Sequence, residues 1–262
     1  MQKIESPWAQ GDFHVIGVGQ LLVGELLCDD IDLTAGNAVL DIACGSGNTA
    51  LAAARRGNDV TGLDLIEALV ERARRRAEAE GFSIEFVTGN AEALPFADAS
   101  FDVVLSTFGV MFAPNQQLAA DEMLRVCKPG GIIGLATWTP ESAPGAMFRL
   151  TSKYLPPRPG ATPPIAGWGN VPGLKKLFGD RIAGLRLVDH TVRQRFESVD
   201  AWIATFREYF GPVRQTFAAL EGGQQAAYER DLRELIAGYN RATDGSLAVA
   251  MSYLNVIAEK KA

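Results

Sequence analysis

The sequence predicts a doubly wound α/β domain on a mostly parallel sheet, with a helical segment before it and a helical insert near the C-terminus. Three observations predict it. An apolar strand end, Val39 to Ile42, runs into a glycine turn at Gly45 and Gly47 and then into a helix from Ala50 to Arg56, with Gly57 placed to cap it. Apolar runs then alternate with amphipathic ones at the spacing of βα units as far as Thr137. The residues capable of chemistry fall just after those runs, at the sheet edge where open α/β folds bind ligands.

The totals fit such a domain. At 262 residues, 47% hydrophobic and 21% charged, the chain has room for one large domain with a sizeable insert. No apolar run is long enough to span a bilayer, and Met1 to Asp12 lacks the basic-then-apolar pattern of a secretion signal. Cys28, Cys44 and Cys127 are odd in number and lack metal-ligand spacing, so reduced thiols in a cytoplasmic protein are expected. His14 and His190 are too few for a histidine-rich metal centre, and no metal is expected. The net charge of −6 argues against a nucleic-acid partner.

The glycine turn carries the first chemical expectation. Backbone N–H groups at Gly45 and Gly47, with a helix N-terminus behind them, suit an anionic group. Asp41 at the strand end adds a place for a cation, and an amino acid moiety meets both demands. A P-loop would need Lys then Ser or Thr after its last glycine, where Asn48 and Thr49 stand; a dinucleotide loop would tolerate Ala50 at its third glycine position. The turn alone decides between none of these.

Along the chain, residues 1–13 read as flexible, although Trp8, Asp12 and Phe13 are unusual in a tail and suggest a hook onto the domain or a cover for a ligand. Residues 14–30 read as a helix with Val15, Val18, Leu22, Leu26 and Leu27 on one stripe. Asn58 to Leu63 is a second strand ending in Asp64, which either accepts ribose hydroxyls or caps the next helix. The arginines at 72, 74, 75 and 76 read as a solvated helix face. Ile84 to Thr88 and Phe101 to Leu105 are further strands, the latter apolar enough to be central. Residues 115–127 form a helix, Lys128 to Gly131 a sharp turn, and Ile132 to Thr137 a fifth strand. Beyond it come a helix over 145–155, a proline-rich stretch over 156–164, a helix near Val171 to Phe178, a strand from Leu185 to Phe196, helices from Ser198 to Gly238 with breaks at Gly211-Pro212 and Gly222-Gly223, and a strand from Leu247 to Ile257.

Five stretches in this order, V-L-D-I-A-C-G-S-G-N (39–48), G-L-D-L (62–65), G-N-A-E-A-L-P-F (89–96), F-D-V-V-L-S (101–106) and R-V-C-K-P-G-G (125–131), make residues 36–140 resemble the class I S-adenosylmethionine-dependent methyltransferases, in particular the ubiquinone/menaquinone-biosynthesis-like small-molecule subgroup. The resemblance implies a Rossmann-like, seven-stranded sheet whose last two strands form an antiparallel hairpin. Here the helices over about 198–240 interrupt that hairpin as an acceptor-side lid. It divides the chain into a cap segment and helix (1–35), a cofactor-binding core (36–140) and the remaining sheet edge with its insert (141–262). It implies that Asp41, Gly45 and Gly47 meet the amino acid end of S-adenosyl-L-methionine, Asp64 the ribose, and Asn90 and Ala91 the adenine. Ala43, Cys44, Leu65 and Glu92 belong to the same stretches, and Ser106, Phe108 and Met111 follow the fourth strand at the same edge. Asn90 stands where the family commonly has Asp; an amide oxygen still accepts a hydrogen bond, so weaker recognition is expected.

Methyl transfer from a sulfonium is an in-line displacement, and the protein's main tasks are alignment and exclusion of water. His14 is a candidate base, and Cys44 lacks a basic partner that would make it a nucleophile. Phe13, Phe112, Trp138, Phe206 and Tyr209 are expected to form an apolar acceptor pocket for a small, largely hydrophobic molecule. A homodimer is possible. Three other functions compete. A nicotinamide-dependent oxidoreductase leaves Asp41 and the 89–96 and 125–131 motifs without a role and lacks a Tyr-x-x-x-Lys pair. The others are a cofactor-binding protein without catalysis and a methyltransferase acting on protein or RNA.

Overall fold

The computed structural model describes residues 6–155 and 163–262. The proline-rich stretch at 156–162 and the first five residues lie outside the described residues. Seven strands form one sheet: β1 (Ala38–Ile42), β2 (Asp59–Asp64), β3 (Glu85–Thr88), β4 (Phe101–Thr107), β5 (Cys127–Trp138), β6 (Ile182–Phe196) and β7 (Leu247–Lys260). Their order is β3-β2-β1-β4-β5-β7-β6, with β1 to β5 parallel and β7 antiparallel to both neighbours. The order reverses between β1 and β4, which places a crevice at their carboxyl ends. Leu40, Val104, Ile133 and Leu135 are fully buried, as expected for parallel strands covered on both faces.

The helices are α1 (Phe13–Gly17), α2 (Leu21–Asp30), α3 (Asn48–Arg55), α4 (Glu67–Ala79), α5 (Gln116–Val126), α6 (Ala143–Tyr154), α7 (Pro164–Trp168), α8 (Val171–Phe178), α9 (Val199–Tyr209), α10 (Gly211–Ala219) and α11 (Gly222–Gly238). Side-chain caps explain several starts. Asn115, Ser142, Asn170 and Ser198 each accept from the backbone N–H three residues on, and Glu221 with Gln224 forms a capping box at α11. Helices α9 to α11 lie between β6 and β7 in sequence, so the insert interrupts an edge hairpin whose strands still pair along their length.

Two expectations are corrected here. The stripe expected inside residues 14–30 is largely outside: Val15, Val18 and Leu22 are exposed, while Ile16, Gln20, Val23, Leu27 and Cys28 face inward. The cause is Gly24. A Cβ there would lie 2.9 Å from Thr49 Oγ1, so α2 turns its glycine face to α3 to bring the helices close, and the leucines beside it rotate outward. Lys128 to Gly131 is no separate turn. β5 begins at Cys127, opposite Phe101, and resumes at Ile132, opposite Val103, so the intervening residues bulge within the strand, with Gly130 at φ 72°.

Candidate functional site

The β1–α3 turn is fixed by carboxylates on both sides. Asp41 is 1% exposed and its Oδ2 accepts the Ala50 N–H at 2.9 Å, inside the first turn of α3. Its Oδ1 is buried and has no hydrogen-bond partner among the described residues. Burial is the largest cause that pushes this carboxyl up to about 8, opposed by the Ala50 N–H and reinforced by the charge of Asp64. Asp64, at the end of β2, accepts the Gly45 N–H on Oδ2 and the Ile66 N–H on Oδ1, each at 2.8 Å. Burial raises its pKa and these backbone bonds oppose the rise. Asp64 therefore ties down the start of α4 and also holds the glycine turn, and each oxygen keeps a second lone pair. Gly47 caps α3 at φ 86°, a left-handed conformation that suits glycine.

These residues fit S-adenosylmethionine. The orphaned Asp41 oxygen is an acceptor awaiting a donor or cation. A Cβ on Gly45 would meet only the Phe13 ring, at 3.8 Å, so a ligand can approach the turn's backbone closely there under an apolar cover, while the Gly45 and Gly47 N–H groups themselves donate to Asp64 Oδ2 and Cys44 O. Leu65, beyond β2, is 55% exposed and offers an apolar face where a base would lie. Asn90 is exposed, its Oδ1 accepting the Glu92 N–H at 2.9 Å, and Glu92 in turn accepts from Asn115 N; Ala91 is half-buried between them. Cys44 is 8% exposed with its thiol pKa raised by burial, an inert packing residue, and Ala43 beside it is half-buried.

Three further expected cofactor residues have their side chains engaged in packing beside the turn or in a neighbouring space. The Ser106 hydroxyl is buried, donating to Ile42 O at 2.7 Å and accepting from Val110 N at 3.1 Å, so it braces β1 against the loop after β4. Met111 is fully buried beneath that loop. Phe108, 5% exposed, stacks on Trp138 with centroids 3.6 Å apart and lines a different space.

That space is a cavity of about 40 Å³ at the carboxyl ends of β4 and β5. Phe13, Phe112, Trp138 and Phe206 line it, as expected. Tyr209 does not: its carbonyl accepts Asp12 N at 3.1 Å, and Phe210, at the C-cap of α9, takes its place. Trp8, read from the sequence as a hook or a cover for a ligand, also lines it; sequence reasoning missed Met147, Phe148 and Met251, and Gln20 and Gln194. Trp202 stacks on Phe206 and packs the insert's own core.

The N-terminal segment closes this region. Trp8 contacts Phe13, Phe112 and Phe210 at centroid distances of 5.6, 4.7 and 5.6 Å. Its backbone packs so tightly on the α9–α10 junction that a Cβ on Gly11 would lie 2.2 Å from Tyr209 O. Polar ties join it to the cofactor turn: His14 Nδ1 lies 2.9 Å from Ser46 Oγ, Asn48 donates to Gly17 O, and Asp12 pairs with Arg72 at 3.0 Å. Arg76 donates to Ser46 O and Asn48 Oδ1. The arginine face of α4 is thus only partly solvated, since Arg72 and Arg76 serve this junction. Burial first, then Arg72 and Arg76, lower the His14 pKa, so its imidazole is neutral at pH 7. His14 sits on the turn and is not among the residues lining the cavity. Among the described residues no metal-binding cluster and no helix long and apolar enough to cross a membrane is found.

Comparison with known proteins agrees with this geometry. Residues 40–135 match the family model described as a methyltransferase domain. An uncharacterised protein of Mycobacterium tuberculosis H37Rv is 38% identical over 97% of this chain and 93% of its own. A demethylmenaquinone methyltransferase of Deinococcus radiodurans is 37% identical over 47% of this chain and 53% of its own. A Bacillus halodurans C-125 protein assigned as a methyltransferase has the same fold, with a TM-score of 0.63 at 21% identity over 91% of this chain and 99% of its own. With the glycine turn, the strand-end carboxylates and the seven-stranded order in place, the chain belongs to the class I S-adenosylmethionine-dependent methyltransferases.

Proposed function

We propose that the methyl acceptor is a small, largely apolar molecule held in the aromatic cavity between the ends of β4 and β5, the N-terminal segment and α9–α10. The observation that carries this reading is Phe13, whose ring covers Gly45 of the cofactor turn on one side and lines the cavity on the other. Donor and acceptor spaces therefore share a wall. On this reading residues 1–35 cap the site, 36–140 hold the cofactor and 141–262 complete the sheet and cover the acceptor. The cofactor is held by Asp41, Ala43, Gly45 and Gly47 at its amino acid end, by Asp64 at the ribose, and by Leu65, Asn90, Ala91 and Glu92 at the adenine.

When bound, S-adenosylmethionine supplies a methyl group already activated for in-line displacement. The residues of the chain then orient and shield. The aromatic walls align a flat acceptor by contact area, and the closure by Trp8, Phe13 and Phe210 keeps water from the reacting centre. The cavity has room for a few water molecules but not for a ring compound, so the N-terminal segment and α9–α10 must part to admit one. The same closure disfavours a protein or RNA acceptor. A relative named for demethylmenaquinone as its acceptor supports an apolar ring compound, although the likeness spans half of each chain.

The test is incubation with S-adenosylmethionine labelled in the methyl group, together with a cell extract separated into apolar small-molecule, protein and RNA fractions. Label is expected in the apolar fraction. Label confined to protein or RNA refutes the proposal.

A further inference from the structure

The cavity wall is apolar except at one end. There, Gln20 from the turn before α2 and Gln194 from β6 are 8% and 6% exposed, and among the described residues neither side chain has a hydrogen-bond partner. They are neighbours: a Cβ on Gly19 would lie 3.9 Å from both Cγ and Nε2 of Gln194. Their amide atoms are not among the fully buried unpaired polar atoms, so they keep contact with accessible space, where a ligand can reach them. A chain that only needed to fill this corner would do so with Leu or Met. Gln20 is also set on the cavity face by its spacing, since Phe13, Ile16 and Gln20 line the same space from one helical segment.

Resting on the reading of this cavity as the acceptor site, we infer that Gln20 and Gln194 are its specificity-determining residues, and that they select an uncharged ring compound bearing a hydroxyl or carbonyl group. The chemistry follows from the side chain. A carboxamide offers two donors and one acceptor, so two together pair with either group, but neither neutralises a charge. Among the described residues no charged side chain lines the cavity, so a carboxylate or ammonium in that corner would be buried without a counter-charge. Recognition of this kind discriminates strongly, because a ligand lacking the polar group leaves both amides unpaired. The polar group anchors one end of the ring and thereby sets which ring atom faces the methyl donor.

The experiment uses the full chain saturated with S-adenosylhomocysteine. Quenching of the fluorescence of Trp8 and Trp138, which line the cavity, reports binding of 4-propylphenol, 4-propylacetophenone, 4-propyltoluene and 4-propylbenzoate. The phenol and the ketone are expected to bind roughly tenfold more tightly than the toluene, with the benzoate weakest. In Gln20→Met and Gln194→Met, which keep the length of the side chain, that preference falls several-fold while S-adenosylhomocysteine affinity by calorimetry stays unchanged, which confirms an intact fold. Equal binding of phenol and toluene to the unmodified protein, or a preference that survives both substitutions, overturns the inference. Failure of all four probes to bind the cofactor-saturated protein refutes instead the assignment of the cavity as acceptor site, and the inference falls with it.

Discussion

Asp64→Asn separates the bracing that the structure gives this side chain from the ribose contact proposed for it. In the unmodified protein each carboxylate oxygen accepts a backbone N–H at 2.8 Å, from Gly45 and from Ile66. An asparagine keeps one acceptor and points an NH2 group at the other amide, so one buried N–H loses its partner. Such a loss costs about 1–3 kcal/mol, and with roughly 2–4 °C per kcal/mol for a chain of this size the cofactor-free melting temperature should fall by about 2–12 °C. Cofactor binding should suffer separately. If the free lone pairs accept the ribose hydroxyls, the variant exchanges two charge-assisted bonds for one neutral bond, a loss of about 1.5–3 kcal/mol or roughly 10- to 150-fold in Kd. Differential scanning fluorimetry without cofactor gives the first quantity. Calorimetric titration with S-adenosylhomocysteine, well below the variant's melting temperature, gives the second. A lowered melting temperature with unchanged Kd would show that Asp64 only braces the turn and the start of α4, and the ribose assignment would be refuted.

Three further outcomes are expected. Asn90→Asp should keep or improve S-adenosylhomocysteine affinity, because a carboxylate still accepts the Glu92 N–H and is the stronger acceptor, whereas Asn90→Leu should weaken it; equal affinity in all three proteins, by calorimetry, removes Asn90 from the site. Asp41 has its folded-state pKa raised from 3.8 to about 8, so the stability of its neutral form is fully present below about pH 4 and is lost as pH rises toward 8; melting curves of Asp41→Asn should lack that decline, and curves parallel to the unmodified protein would contradict the buried charge. Hydrogen exchange over residues 6–20 and 198–215 should slow when cofactor and acceptor are bound together, and equal protection in both states would make the insert a fixed surface and not a lid.

The cofactor half of the site was legible because it is built from local sequence. Strand, glycine turn and helix follow one another within residues 38–55, and the carboxylates at 41 and 64 mark strand ends that the βα spacing had located. The cavity proposed for the acceptor is built from distance. Trp8, Phe148, Phe210 and Met251 meet only after the insert folds back over the sheet, and no periodicity links them. Errors also followed from this. Tyr209 and Phe210 are adjacent, and which ring turns inward depends on where α9 ends, a boundary that a pattern of apolar residues leaves open by a residue or more. The stripe in residues 14–30 failed for a related reason, because a glycine face can outweigh a leucine face when two helices must approach closely.

Several of the places where the chain breaks ordinary folding rules gather around the same crevice, while Asp32 and Ala99, also at positive φ, precede β1 and β4. Ala43 and Phe108 adopt left-handed backbone conformations at φ 54° and 55°, in the turns that leave β1 and β4. Such conformations cost a non-glycine residue on the order of 1–2 kcal/mol. Ala43 stands so close to the loop after β4 that a Cβ on Gly109 would lie 2.4 Å from its own, so these two strained turns are packed against each other. Asp41 holds a carboxyl in a dry interior with one oxygen unpaired. A sequence selected for stability alone would relax each of these by a single substitution. Their convergence on one sheet edge, beside the turn that fits the cofactor and the cavity that fits an acceptor, is what strain retained for binding looks like. On the proposed reading, the strained turns set the backbone that donor and acceptor meet, and the unpaired Asp41 oxygen gains its partner from the cofactor.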